Sequence, residues 1–164
     1  MKQSAGDCAA ARLSRRDMSE AETRDYLKGK GYSDEEIRGA ISMLKEYRYL
    51  DDRRYALQFL RYAERKNWAK RRAFAELNKR GVDAETADNA FEDYEEEFGE
   101  VYDEYKMAQE ETVKVLRLAD LGEDDPVSEK VRGRIARRLA ARGFSQPVVY
   151  DVLDRLRRTD EWQR

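Results

Sequence analysis

The chain has no histidine among its 164 residues. That removes the commonest proton shuttle at neutral pH and the commonest metal ligand. With a single cysteine, Cys8, it can build neither a disulfide framework nor a thiolate metal site. No glycine-rich phosphate loop is present, so ATP binding is not expected. These absences argue against an enzyme, and no catalytic, metal or cofactor site is assigned. Apolar runs are short of the roughly 18 residues of a membrane span. Met1–Asp7 is polar and lacks the apolar core of a signal peptide. No membrane association and a cytoplasmic location are the resulting expectations. Two prolines and nine glycines leave room for helices joined by short turns.

What the chain has in quantity is charge. Charged residues make up 41% of it, with 33 Lys and Arg against 35 Asp and Glu, for a net charge of -2. Such a composition is compatible with disorder unless the apolar residues, 40% of the chain, are periodic. They are. Three segments share one pattern: Leu27 to Ser33 around Gly31, Leu77 to Asp83 around Gly81, and Leu139 to Ser145 around Gly143. In each, a leucine precedes the glycine by four positions, an apolar residue follows it, and a capping residue comes next.

The physics of a helical hairpin accounts for every position. Glycine adopts the left-handed conformation that ends a helix, and the residue after it packs back on the leucine. Ser33, Asp83 and Ser145 then cap the next helix, and Ser33 with Glu36 forms a capping box. Apolar residues follow at helical spacing: Ile37, Ala40, Ile41 and Leu44; Ala87, Ala90, Phe91 and Tyr94; Val149, Val152, Leu153 and Leu156. A further helix precedes each hairpin. The first is only a stub over Ala9–Arg16, before a capping box of Ser19 and Glu22. The second runs from an Asp51 cap to about Lys66, with Tyr55, Phe59, Tyr62 and Ala63 inward. The third carries Tyr105, Ala108, Thr112, Val115, Leu116 and Ala119 and ends near Gly122. Asp125-Pro126 restarts the chain, with proline suited to a first helical turn. The stretch Asp83–Ala119 reads equally as two helices or as one broken near Gly99.

The fold class predicted is therefore all-α: three tandem three-helix (helix-turn-helix-like) repeats in an extended, curved array, at 1–47 (first helix truncated), 48–98 and 99–164. Single units bury little, so neighbours must stack. A capped array needs no second copy, and a monomer is expected.

Charge is unevenly distributed. From Asp83 to Glu111 there are thirteen acids and one base, Lys106. Cations gather in two places instead: Arg61, Arg65, Lys66, Lys70, Arg71 and Arg72, and Lys130, Arg132, Arg134, Arg137, Arg138 and Arg142. In the second group, Lys130, Arg134 and Arg137 form a stripe beside the apolar Val131, Ile135 and Leu139. These cations, Arg132 apart, are the candidate partner- and DNA-binding residues, suited to phosphates or to an acidic protein surface. The acidic stretch reads as a solvated face. Asp51-Asp52 resembles a carboxylate pair, but capping explains it better. Most aromatics sit at core spacing, with Trp68 the exception that could stack on a base.

The string Tyr49-Leu50-Asp51-Asp52-Arg53-Arg54-Tyr55-Ala56, followed by Phe59-Leu60-Arg61, resembles the signature of the RecX family, regulators of the RecA recombinase. Ser19–Leu27, Glu76–Gly81 and Arg138–Phe144 agree with it, so the resemblance spans about Leu13 to Leu156. The family usually has glycine where this chain has Arg48, and phenylalanine where it has Tyr55. A glycine between the second repeat's first two helices is replaced by Asn67-Trp68-Ala69. The resemblance implies a modulator lodged in the groove of a RecA–single-stranded-DNA filament, inhibiting ATP hydrolysis and strand exchange in DNA repair. It implies the filament as protein partner and single-stranded DNA contacted through it or directly. A stand-alone nucleic-acid binder is the alternative.

Overall fold

The computed structural model describes residues 3–121 and 126–162. Among these it contains helices and no strand: α1 Ala5–Leu13, α2 Glu20–Gly29, α3 Asp34–Glu46, α4 Asp52–Arg65, α5 Lys70–Lys79, α6 Ala84–Phe98, α7 Glu104–Leu118, α8 Glu129–Ala141 and α9 Gln146–Trp162.

The hairpin turns have the predicted chemistry. Gly31, Gly81 and Gly143 are left-handed, at φ 79°, 76° and 89°. In each turn the amide two places beyond the C-cap reaches the leucine carbonyl: Tyr32 to Leu27 at 3.3 Å, Val82 to Leu77 at 3.1 Å, Phe144 to Leu139 at 3.2 Å. The glycine amides bond Lys28, Asn78 and Ala140, completing a Schellman stop three times over. The stops after α3, α4 and α7 use the same two bonds without glycine. Arg48, Asn67 and Asp120 are left-handed there, and Tyr49, Trp68 and Leu121 donate to Leu44, Ala63 and Leu116.

Caps open the helices as expected. Ser19 and Ser33 make full capping boxes with Glu22 and Glu36, and Asp83 accepts from the Thr86 amide. The two acids at the head of α4 divide their work. Asp51 accepts from the Arg54 amide at 3.0 Å, while Asp52 accepts from the Glu20 amide at the start of α2 at 2.8 Å.

Several expectations need correction. The first helix is α1, capped by Ser4, and it ends at Leu13 rather than spanning Ala9–Arg16. Gly99 is a left-handed cap, so α6 and α7 are separate. Ser128 caps α8, so Pro126 precedes the helix instead of forming its first turn; Asp125 and Gly122 lie outside the described residues. Tyr62 and Tyr105 are largely exposed, because each sits at the edge of its stripe. On α9, Val148 is buried beside Val152, while Val149, Leu153 and Leu156 are half-buried.

By packing, the chain forms two compact units. One holds residues through Leu60 with Phe74–Glu100; the other holds Arg61–Ala73 with the chain from Val101. These differ from the repeat limits because a repeat is a sequence period, whereas a unit is defined by packing. In the first, α1 packs on α2 and α3 around Ala9, Leu27, Ile37, Ile41 and Leu44. In the second, α7 packs on α8 and α9, and Ala108, Val115, Ile135, Leu139 and Val152 are buried.

One docking motif recurs in both units. In the first, the buried Ser19 hydroxyl donates to the Arg80 carbonyl, and Gly81 lies so close to α2 that a Cβ would strike the Cβ of Ala21. In the second, the Ala69 amide donates to the Arg142 carbonyl at 2.9 Å, and a Cβ on Gly143 would approach the Cβ of Arg72 to 2.6 Å. Ser19 and Ala69 both lie twelve positions before their own repeat's glycine, and Arg80 and Arg142 immediately before theirs. The left-handed glycine thus ends its helix and also lets the preceding repeat approach closely.

Candidate nucleic-acid interface

The inner stripe of α7 is Met107, Ala108, Glu111, Thr112 and Val115. A glutamate therefore occupies a core position, and Glu111 is 0% exposed. Burying a carboxylate is tolerable only when it is paired and hydrogen-bonded. Its Oε1 accepts from Lys114 Nζ at 2.7 Å and Asn67 Nδ2 at 3.0 Å. Its Oε2 accepts from Arg138 Nε at 2.6 Å and Arg142 Nε at 2.8 Å. Burial opposes the charge, but the bonds from Lys114, Asn67 and Arg138, with the field of Arg142, prevail and hold the carboxyl at about 2.

This node divides the sequence-nominated cations. Arg138 and Arg142 are committed to Glu111, and Arg142 also donates to the Lys66 carbonyl. The Arg72 guanidinium lies 4.1 Å from the Trp68 ring centre and donates to the Ala141 carbonyl at 2.8 Å. Tyr62 meets Trp68 edge-on at 5.7 Å, and the Lys66 ammonium lies 5.7 Å from the Tyr62 ring. One face of Trp68 is therefore occupied by Arg72 and is not open to a base. Arg61 is half-buried and engaged within the protein, and Lys70 is exposed but also engaged. At the head of α5, where Ala69 offers no capping side chain, the Lys70 amide is satisfied by Glu104 at 2.9 Å.

The remaining nominated cations face solvent. Lys130, Arg134 and Arg137 are exposed and make no ion pair among the described residues, and the same holds for Arg65 and Arg71. On α8 the three follow at spacings of four and three, next to the buried Ile135 and Leu139. They span about 10 Å along the helix at 1.5 Å per residue. Arg132 bonds Glu129 at 3.5 Å and does not extend the stripe. The stripe stands on a helix whose C-terminal end is clamped through Arg138, one turn beyond Arg134, and the C-cap Arg142, so its cations are carried on a fixed support.

Sequence reasoning missed Glu111 as a structural residue and counted it among the solvated acids. A signal existed: Glu111 falls three residues after Ala108 and four before Val115, in phase with the apolar stripe. Its partners could not be named from sequence, because Arg138 lies 27 residues away.

The chain is similar to known proteins. Two family models match: RecX, first three-helix domain, over residues 7–44, and RecX, second three-helix domain, over residues 51–90. A regulatory protein RecX of Vibrio vulnificus is 32% identical over 139 residues, covering 85% of this chain and 84% of that protein. The chain belongs to the RecX family. The RecX regulatory protein of Caldanaerobacter subterraneus is 40% identical over a shorter stretch, 49% of this chain and 41% of that protein. That of Bacillus licheniformis is 32% identical over 86% of this chain and 51% of its own length. Among solved structures, RecX from Lactobacillus salivarius shares the fold, with a TM-score of 0.71 at 18% identity over 93% of this chain and 94% of that one. The family's relatives carry the name of a regulatory protein, and no helix among the described residues is long and apolar enough to cross a membrane.

Proposed function

We propose that this chain regulates the RecA recombinase by binding the RecA–single-stranded-DNA filament and inhibiting its ATPase and strand exchange, acting by binding rather than catalysis. The observation that carries the reading is the stripe Lys130, Arg134 and Arg137, without an ion pair among the described residues, on a helix held at its C-terminal end by Glu111. Such a stripe contacts the phosphate backbone without reading bases, which suits a regulator of a filament that forms on any sequence. The family resemblance supplies the filament as target. RecA's DNA-dependent ATP hydrolysis and strand exchange, measured with the cognate recombinase and rising amounts of the protein, are expected to fall. Unchanged rates at saturating protein would refute the proposal.

The same stripe supports a second reading, a stand-alone nucleic-acid binder. That reading requires affinity for bare single-stranded DNA that falls steeply with salt. Negligible affinity for bare DNA beside firm binding to the filament would eliminate it.

A further inference from the structure

The turn between α3 and α4 departs from the pattern of the other left-handed positions. Among the described residues, positive φ occurs at Gly31, Gly81, Gly99, Gly143, Asn67, Asp120 and Arg48. Six of these are glycine, asparagine or aspartate, the residues that tolerate this conformation. Arg48, at φ 57°, is the exception. Its Cβ crowds the following carbonyl, and it has no short polar group to compensate. The conformation is held by the rest of the turn: Tyr49 and Leu50 both donate to the Leu44 carbonyl, at 2.8 and 3.1 Å, and Leu50 is buried. A backbone outlier of this kind in an over-determined turn points to use of its side chain.

The neighbours of Arg48 strengthen the case. Tyr47 is 67% exposed and Tyr49 60%, and partly exposed Met43 sits one helical turn before Tyr47. The side chains of Tyr47, Arg48 and Tyr49 make no hydrogen bond, ion pair or ring contact among the described residues. Tyrosine, arginine and methionine are the types enriched in protein-binding surfaces, and tyrosine and arginine dominate their energetic centres. Tyrosine also offers a large contact area for little lost side-chain entropy. The local charge is mixed rather than cationic: Glu46 and Asp51 are exposed on either side of Arg48, Arg54 is exposed near Tyr49, and Lys45 is already paired with Glu20.

We propose that Tyr47, Arg48 and Tyr49 form a protein-docking turn, different in residues and in chemistry from the cation stripe on α8. Its partner is a folded protein that presents a carboxylate to Arg48 beside an apolar depression for the two tyrosines. This rests on the reading proposed above, in which that protein is the recombinase subunit of the filament. The two surfaces then divide the work, the turn holding protein and the stripe holding phosphate.

The test uses the full chain and two variants, Tyr47→Ala/Tyr49→Ala and Arg48→Gly. Binding is measured to RecA–single-stranded-DNA filaments and, separately, to the bare oligonucleotide, together with each variant's melting temperature. The double variant is expected to bind the filament at least about tenfold more weakly, with bare-DNA affinity and melting temperature unchanged. Arg48→Gly is expected to melt higher than the parent while binding the filament several-fold more weakly, a combination that simple damage to the fold does not produce. Parental filament binding by the double variant overturns the proposal. So does an equal loss on bare DNA, which would make the turn a base-stacking site. A lower melting temperature for Arg48→Gly removes the strain argument and counts against it. If the parent itself ignores the filament, the proposed function fails and the inference falls with it, an outcome distinct from a binding parent with an indifferent turn.

Discussion

Protonating Glu111 would weaken four donor contacts at once, because each of its oxygens accepts from two donors and the charge that strengthens those bonds is lost. A carboxyl held at about 2 instead of its ordinary 4.5 contributes on the order of 3 kcal/mol to folding. The folded value is depressed, so this stability is fully present above pH 4.5 and is lost as pH falls toward about 2. Glu111→Gln is therefore expected to lose on the order of 3 kcal/mol at pH 7 and to show a shallower decline than the parent between pH 4.5 and 2. Urea unfolding of both proteins across that range checks both statements. Equal slopes in acid would mean that folding does not depress the Glu111 carboxyl.

At the scale of the helix and its turn, local strain and tertiary fit can be separated. Gly31 and Gly81 are both left-handed, at φ 79° and 76°, but a Cβ at Gly31 meets nothing within 4 Å, whereas one at Gly81 strikes Ala21. Gly31→Ala is expected to cost about 1 kcal/mol, the conformational penalty alone. Gly81→Ala is expected to cost about 2–4 kcal/mol, since α2 must also shift away from the turn. Thermal or urea unfolding distinguishes them, and equal losses would refute the close docking of Gly81 on α2. The helix stops at Gly31, Gly81 and Gly143 and the caps at Ser19, Ser33 and Asp83 were legible in sequence, because each depends on residues within a few positions. The stops at Asn67 and Asp120 were not, since their left-handed residues are not glycine. Neither was the head of α5, whose orphan amides find acceptors at Glu104 and Arg142, far along the chain.

For the molecule as a whole, a net charge of -2 conceals an exposed acidic α6 and an exposed cationic stripe on α8. If the stripe meets single-stranded DNA, each phosphate neutralised contributes about 0.7 to the slope of log K against log salt. Replacing Lys130, Arg134 and Arg137 with alanine is then expected to flatten that slope by about 2, with little change in melting temperature. Arg138→Ala is expected to do the reverse, lowering stability by about 1–3 kcal/mol because Glu111 loses one of its four donors, while leaving the slope nearly unchanged. Titrations of labelled oligonucleotide at several salt concentrations, paired with unfolding curves, measure both. Similar effects from the two variants would mean that free and clamped arginines are not different in kind.

The sequence alone determined the all-helical class, the three hairpins, most caps and the family resemblance, because helix limits follow from short-range backbone chemistry and apolar period. It also located the two cation-rich segments. Only the tertiary structure decided which of those cations are free. Arg138 and Arg142 differ from Arg134 and Arg137 by their angle around one helix, and that angle acquired meaning only when folding brought Glu111 of α7 against α8. A buried carboxylate attracts the nearest guanidinium groups whatever their separation along the chain, since electrostatic pairing depends on distance in space.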